Sequence, residues 1–131
     1  MAAPRRRSIE VDGVSHAPAP IPVGSRVGSV VFSSAIPGID ASTGTLPAAP
    51  VDQVTHAFRN VRAFLTAAGV TADDVVRMSV LIDDESLRGA INPEWLELFP
   101  DARSRPARHT TVQPLRLGMH VQLEVVAVAA D

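Results

Sequence analysis

The stretch "VDQVTHAFRNVRAFLTAAG", Val51 to Gly69, constrains this chain more than any other. Val51, Val54, Phe58, Val61, Leu65 and Ala68 recur at three- and four-residue steps and form one apolar stripe on a helix. Asp52, Gln53, Arg59 and Arg62 fall away from that stripe, and Gly69 is a natural terminator. The period then changes. In "TADDVVRMSVLID" a turn gives way to alternation, with Val76, Met78, Val80 and Ile82 on one face of a strand and Arg77 and Ser79 on the other. A one-striped helix beside a one-faced strand predicts helix packed on sheet.

The remaining elements fit that layering. "HAPAPIPVGS", His16 to Ser25, is too rich in proline for a regular helix or a central strand. Val30-Val31-Phe32 reads as a buried strand, and "PGIDASTGTLPAAP" as a turn-rich loop with a short hairpin arm around Gly44. In "ESLRGAINPEWLELF" the proline predicts a turn through Ile91 and then a helix, with Asn92 as N-cap and Pro93 at its first position. "ARHTTV" and "HVQLEVVAVA" are the last strands. In the latter, Val121, Leu123, Val125 and Ala127 share one face, opposite Gln122 and Glu124. The fold class expected is α+β: a mixed sheet with two helices on one face. The other face needs a cover, which a second subunit can supply.

Bulk properties narrow the function. At 131 residues the chain suits one domain spanning 1–131, with residues 1–7 expected to be flexible. A net charge of −2 gives no basic excess that would point to nucleic acid. No cysteine is present, which removes thiol catalysis and disulfides. The N-terminus lacks the apolar run of a secretory signal, and no segment reaches the roughly 18 apolar residues of a membrane span. A cytoplasmic location follows as the expectation. With one Trp, four Phe and no Tyr, small aliphatics must fill the core. The four histidines have no metal-like spacing, no phosphate or dinucleotide loop occurs, and Ser33 and Ser34 lack an evident base. Neither a metal nor a cofactor is expected.

The segment "RPARHTTVQP" poses the remaining question. On strand parity Arg108 shares a face with Thr110 and Val112, while His109 and Thr111 face away. Arg108 is either a surface arginine on a sheet edge or a guanidinium fork that binds a carboxylate in two bonds.

Several segments, in order, resemble the Rid (YjgF) family. "VGSVVFSSAIPGIDASTGTL" is similar to its strand and "IDxxTG" loop. "FRNVRAFLTAAGVTADDVVRMSVLIDD" is similar to its helix, "AAG" stop and following strand. "INPEWLELFP" resembles "VNxxYxxFF", "RPARHTTVQ" resembles the "PARxxV" signature, and "VQLEVVAVA" resembles the closing "VEIEAIA" strand. The resemblance implies a chorismate-mutase-like fold and a homotrimer whose sheets form a central barrel, with clefts between subunits. It also implies hydrolysis of 2-imino or 2-enamino acids, such as 2-iminobutanoate and 2-iminopropanoate, to 2-oxo acids and ammonia. In that pattern Arg108 anchors the substrate carboxylate. Asn92 matches the family asparagine, Ser34 and Ala35 lie in the cleft-lining segment, and Thr110 shares the strand face of Arg108.

The chain departs from the pattern at two site positions. Ile21 falls where the family has a tyrosine in "GPYSQA". Gln122 replaces the first glutamate of "VEIEAIA", leaving only Glu124 as a carboxylate. The loop between Arg108 and Gln122 is one residue shorter. Glutamine can hold a water by hydrogen bonds but is no general base. The rival expectation is therefore a non-deaminating protein of the same fold that binds a small carboxylate or acts on a pathway-specific intermediate.

Overall fold

A computed structural model describes residues 3–130. Among these residues seven strands and two helices follow one another as β1 (Arg6–Ile9), β2 (Gly24–Val27), β3 (Val30–Ser33), β4 (Ile36–Pro37), α1 (Pro50–Ala68), β5 (Val75–Ile82), α2 (Arg88–Leu98), β6 (Ala107–Val112) and β7 (Val121–Val128). One mixed sheet runs β1-β2-β3-β7-β5-β6, with β4 pairing a second stretch of β7. Only β5 and β6 pair in parallel, across the α2 crossover; the other pairings are antiparallel. The α+β class is as the sequence predicts. No helix among the described residues is long and apolar enough to cross a membrane.

Both helices cover the same sheet face. Phe58 and Phe64 of α1, Ile91 of α2, and Met78, Ile82 and Leu123 of the sheet meet in one core and are fully buried. Alternation along β7 buries Val121, Leu123, Val125 and Ala127 and turns Gln122 and Glu124 outward, as expected. The opposite, open face is not polar: Val30, Phe32, Val76 and Val128 are all exposed.

Three local expectations are corrected. Gln53 is not on the solvent side of α1 but 1% exposed, whereas Val51 in the first turn is 57% exposed. The apolar stripe is wider than the sequence suggests and includes Ala57 and Phe64. On its flank Gln53 and Asn60 are buried because their amides replace water for loop carbonyls. Gln53 Nε2 donates to the carbonyls of Pro47 (2.8 Å) and Gly118 (3.0 Å), and its Oε1 accepts the His120 N–H (2.8 Å). Asn60 Nδ2 donates to the carbonyls of Pro37 and Ile39, each at 2.9 Å. These bonds draw β4 tightly against α1: a Cβ on Gly38 would sit 2.2 Å from the Gln53 carbonyl oxygen.

In β5 a bulge between Val75 and Arg77 resets the alternation, so Val75 enters the core and Val76 does not. The second helix begins earlier than Pro93 implies. A 3₁₀ turn, Glu85–Leu87, leads directly into α2, and its cap is Asp84, whose Oδ1 accepts the Ser86 N–H at 2.8 Å. Asn92 is therefore no N-cap, and Pro93 lies inside the helix. There it leaves the Gly89 carbonyl without its helical donor. Arg6 and Arg7 belong to β1, opposite Val27 and Arg26. Residues 1 and 2 lie outside the described range. Arg26 Nη1 donates to the Ala68 carbonyl at 2.8 Å, so this strand pair places a cation at the α1 C-terminus. Gly69, at φ 76°, ends the helix as predicted.

Candidate functional site

The expected site residues fall into two groups on opposite faces of the sheet. The first group is built on β6 and α2. Arg108 aligns with Met78 and Thr110 with Val80, so both project on the helix-covered face. β6 is the edge strand there, and the core gives out beside it. Arg108 rests on the only tryptophan of the chain, its Cζ 5.2 Å from the Trp95 ring centre, and its Nε donates to Thr110 Oγ1 at 3.2 Å. Burial, and after it the nearby charge of Arg88, push the Arg108 pKa below the ordinary guanidinium value. Among the described residues no carboxylate pairs with Arg108; the ion pairs lie elsewhere. Asn92 is exposed on α2, three residues before Trp95 and so on the adjoining part of the same helix face. Arg105 is used otherwise, donating to the carbonyls of Phe99 (2.9 Å) and Pro100 (3.3 Å).

The second group lies on the open face. Gln122 aligns with Leu81 and Glu124 with Ser79, the residues of β5 that point away from the core. Gln122 forms one wall of a groove of about 720 Å³ that also includes His16, Ile21, Arg116, Leu117 and Met119. Its amide Nε2 lies 3.3 Å from Met119 Sδ. The other wall is the proline-rich segment, fixed to the β3–β4 connection. Ser34 Oγ donates to the Pro22 carbonyl at 2.8 Å, and His16 Nε2 to the Ala35 carbonyl at 2.7 Å. Ser34 and Ala35 thus hold the groove wall by polar atoms already in use. Glu124 is exposed, two residues along from Gln122, which is roughly 6.5–7 Å of strand.

Within one chain, then, Arg108 meets Thr110 and Trp95, and Gln122 meets Ile21 across the groove. Arg108 does not meet Gln122 or Glu124. β5 stands between β6 and β7, and the side chains leave opposite faces. Sequence reasoning missed Trp95, Arg88, His16 and Arg116. The single tryptophan was the one visible signal, because an aromatic face beside an edge-strand arginine is a ready cation–π platform.

Comparison with known proteins bears on this geometry. The profile of the family described as Endoribonuclease L-PSP matches residues 16–131, nearly the whole chain. The chain belongs to that family, the Rid (YjgF) family that its segments resemble. It is similar to TdcF of Escherichia coli, provisionally named a reactive intermediate deaminase. The two are 32% identical over 124 residues, covering 95% of this chain and 96% of the relative. The 2-iminobutanoate/2-iminopropanoate deaminase of Escherichia coli is 24% identical over 123 residues, covering 94% of this chain and 96% of its own. The crystal structure of Escherichia coli TdcF with bound serine superposes with a TM-score of 0.83 at 29% identity, covering 95% and 99% of the two chains.

Proposed function

We propose that this protein is a Rid-type hydrolase of small 2-imino and 2-enamino acids, working without a metal or cofactor in the cytoplasm. The observation that carries the proposal is Arg108: a half-buried guanidinium, oriented by Thr110 and Trp95, with no carboxylate partner among the described residues. Such a group binds a substrate carboxylate by charge-assisted hydrogen bonds. The deaminase names of the two Escherichia coli relatives support imine chemistry. The serine bound by TdcF supports a ligand that carries a carboxylate.

The two groups of residues act together when copies of the chain associate. In a homotrimer of chorismate-mutase-like subunits, with the sheets packed into a barrel, the exposed Val30, Phe32, Val76 and Val128 find their cover. Arg108, Thr110 and Asn92 of one subunit then face Ile21, Gln122 and Glu124 of the next across a shared cleft, with the Ser34–Ala35 segment supporting the wall. Arg108 holds the carboxylate, and Asn92 hydrogen-bonds the ligand beside it. A water held by Gln122 adds to the imine carbon. The C–N bond then breaks, and the products are a 2-oxo acid and ammonia. Gln122 cannot take the proton of that water, so the substrate's own carboxylate or a distant Glu124 must assist.

The test is ammonia release from freshly generated imino acids. Wild type should accelerate it and Arg108→Ala should not. Equal rates in the two proteins would overturn the assignment, and a monomer in sedimentation at micromolar concentration would overturn the shared cleft. A second reading, a non-deaminating protein that binds a small carboxylate, is favoured by Ile21 and Gln122. It predicts ligand binding at Arg108 with no ammonia released.

A further inference from the structure

α2 carries a row of polar and aromatic groups in which the preceding reaction gives Arg88 no role. Arg88, Asn92 and Trp95 are spaced by four and three residues and lie along one helix face, with Trp95 beneath Arg108. Because β5, α2 and β6 form a parallel crossover, α2 runs opposite to β6. Its N-terminus, with Arg88, therefore lies toward the Val112 end of β6. Arg108 reaches the same way, since its Nε bonds forward to Thr110. Over seven residues of helix the Arg88 and Trp95 backbones are roughly 10 Å apart, with Arg88 paired to Glu85 at one end and Arg108 over the ring at the other. Arg88 is close enough for its charge to disfavour protonation of Arg108.

Two features make Arg88 odd as a structural residue. It sits in the first turn of α2, where a cation opposes the helix dipole. Among the described residues its one acidic partner is Glu85, three residues earlier, and the pair is solvated, with side chains 43% and 67% exposed. A solvated pair of this kind contributes little to stability. It does place a carboxylate on Arg88.

We infer that Arg88 is a specificity-determining residue that takes a second, distal carboxylate of the substrate, with Glu85 standing in for that carboxylate in the free protein. This rests on the reading of Arg108 as the anchor for the first carboxylate. The preferred substrates are then imines and enamines of acidic amino acids, and the preferred product analogues are 2-oxo dicarboxylates. Asn92, between the two arginines, hydrogen-bonds the chain that joins the carboxylates.

The test compares two ligands of equal chain length, 2-oxoglutarate and 2-oxopentanoate, by calorimetric titration of the full chain. Wild type should bind the dicarboxylate about tenfold tighter, the lower end for a charge-assisted contact at a half-exposed site. Arg88→Ala should collapse that ratio toward one, and Arg88→Glu should invert it. Glu85→Gln, which removes the internal competitor, should widen it. Thermal melting confirms that each variant is folded, which its exposed position favours. A wild type without preference, in which Arg108→Ala still abolishes binding of both ligands, overturns the role of Arg88 and leaves the anchor standing. A preference that survives Arg88→Ala overturns it too. Failure of both ligands to bind wild type removes the anchor and this inference together.

Discussion

The guanidinium of Arg108 lies over the face of Trp95, 5.2 Å from the ring centre. The contact joins the edge strand's charge to the core's largest aromatic, so in the proposed site the ring serves both packing and binding. Trp95→Leu should keep most of the burial but remove the π face, worth about 0.5–2 kcal/mol depending on desolvation. Carboxylate binding should weaken by roughly two- to thirtyfold. Trp95→Ala should in addition lower stability by about 3–5 kcal/mol. Titration with a 2-oxo acid and urea unfolding separate the two effects. Unchanged affinity in a folded Trp95→Leu would show that the ring only packs.

Gln53 has all of its useful polar atoms committed, to Pro47, Gly118 and His120. Gln53→Leu is close in volume but leaves two carbonyls and one N–H without partners. At about 1–3 kcal/mol for each group that water cannot reach, and with partial relaxation, unfolding free energy should fall by roughly 2–4 kcal/mol. Denaturant midpoints measure this. Amide exchange should locate the loosened backbone at residues 118–120, beside the groove of Gln122.

The start of α2 should respond to acid. Hydrogen bonds from the Ser86 hydroxyl, then from the Ser86 N–H, hold the Asp84 carboxyl below its ordinary value of 3.8. A depressed folded-state pKa means the cap stabilises above the unfolded value and is lost as pH falls through the folded one. Capping is therefore complete at neutral pH and fails only below about pH 4. Ser86→Ala should raise the Asp84 pKa, read by carboxyl NMR, while retaining the backbone bond. No upward movement would show that the hydroxyl does not set it.

In the proposed reaction, Gln122 is the position at which hydrolysis is most limited. Gln122→Glu restores a group that can accept a proton, and acid–base assistance is typically worth about 10²–10⁴-fold. Ammonia release from simple aliphatic imino acids should rise in the variant, even if only part of that range is recovered. A wild type already fully active, with no gain or a loss on substitution, would show that another group fills the role.

Much of this architecture was legible from periodicity. β7 alternates without interruption, and Arg108 and Thr110 share a strand face as parity requires. What periodicity could not show is where a polar residue replaces water for a loop. Gln53 looks solvent-facing on a helical wheel because nothing in its neighbourhood encodes the carbonyls of Pro47 and Gly118. Val76 was misassigned because a bulge depends on the partner strand and not on the strand's own residues. Pro93 suggested a helix start, yet Asp84, with Ser86 two residues on, supplied a stronger one. The candidate residues can be read from the sequence as a set but not as an arrangement, because opposite sheet faces are fixed by pairing register.

The separation of Arg108 from Gln122 by the sheet has a genetic consequence. In the proposed assembly each subunit lends its arginine to one cleft and its glutamine to another. Two defective proteins, Arg108→Ala and Gln122→Ala, should therefore complement each other when co-expressed or mixed under exchange. Some clefts would then draw both intact residues from different parents. Either variant alone would stay inactive at any concentration, and recovery would depend on the mixing ratio.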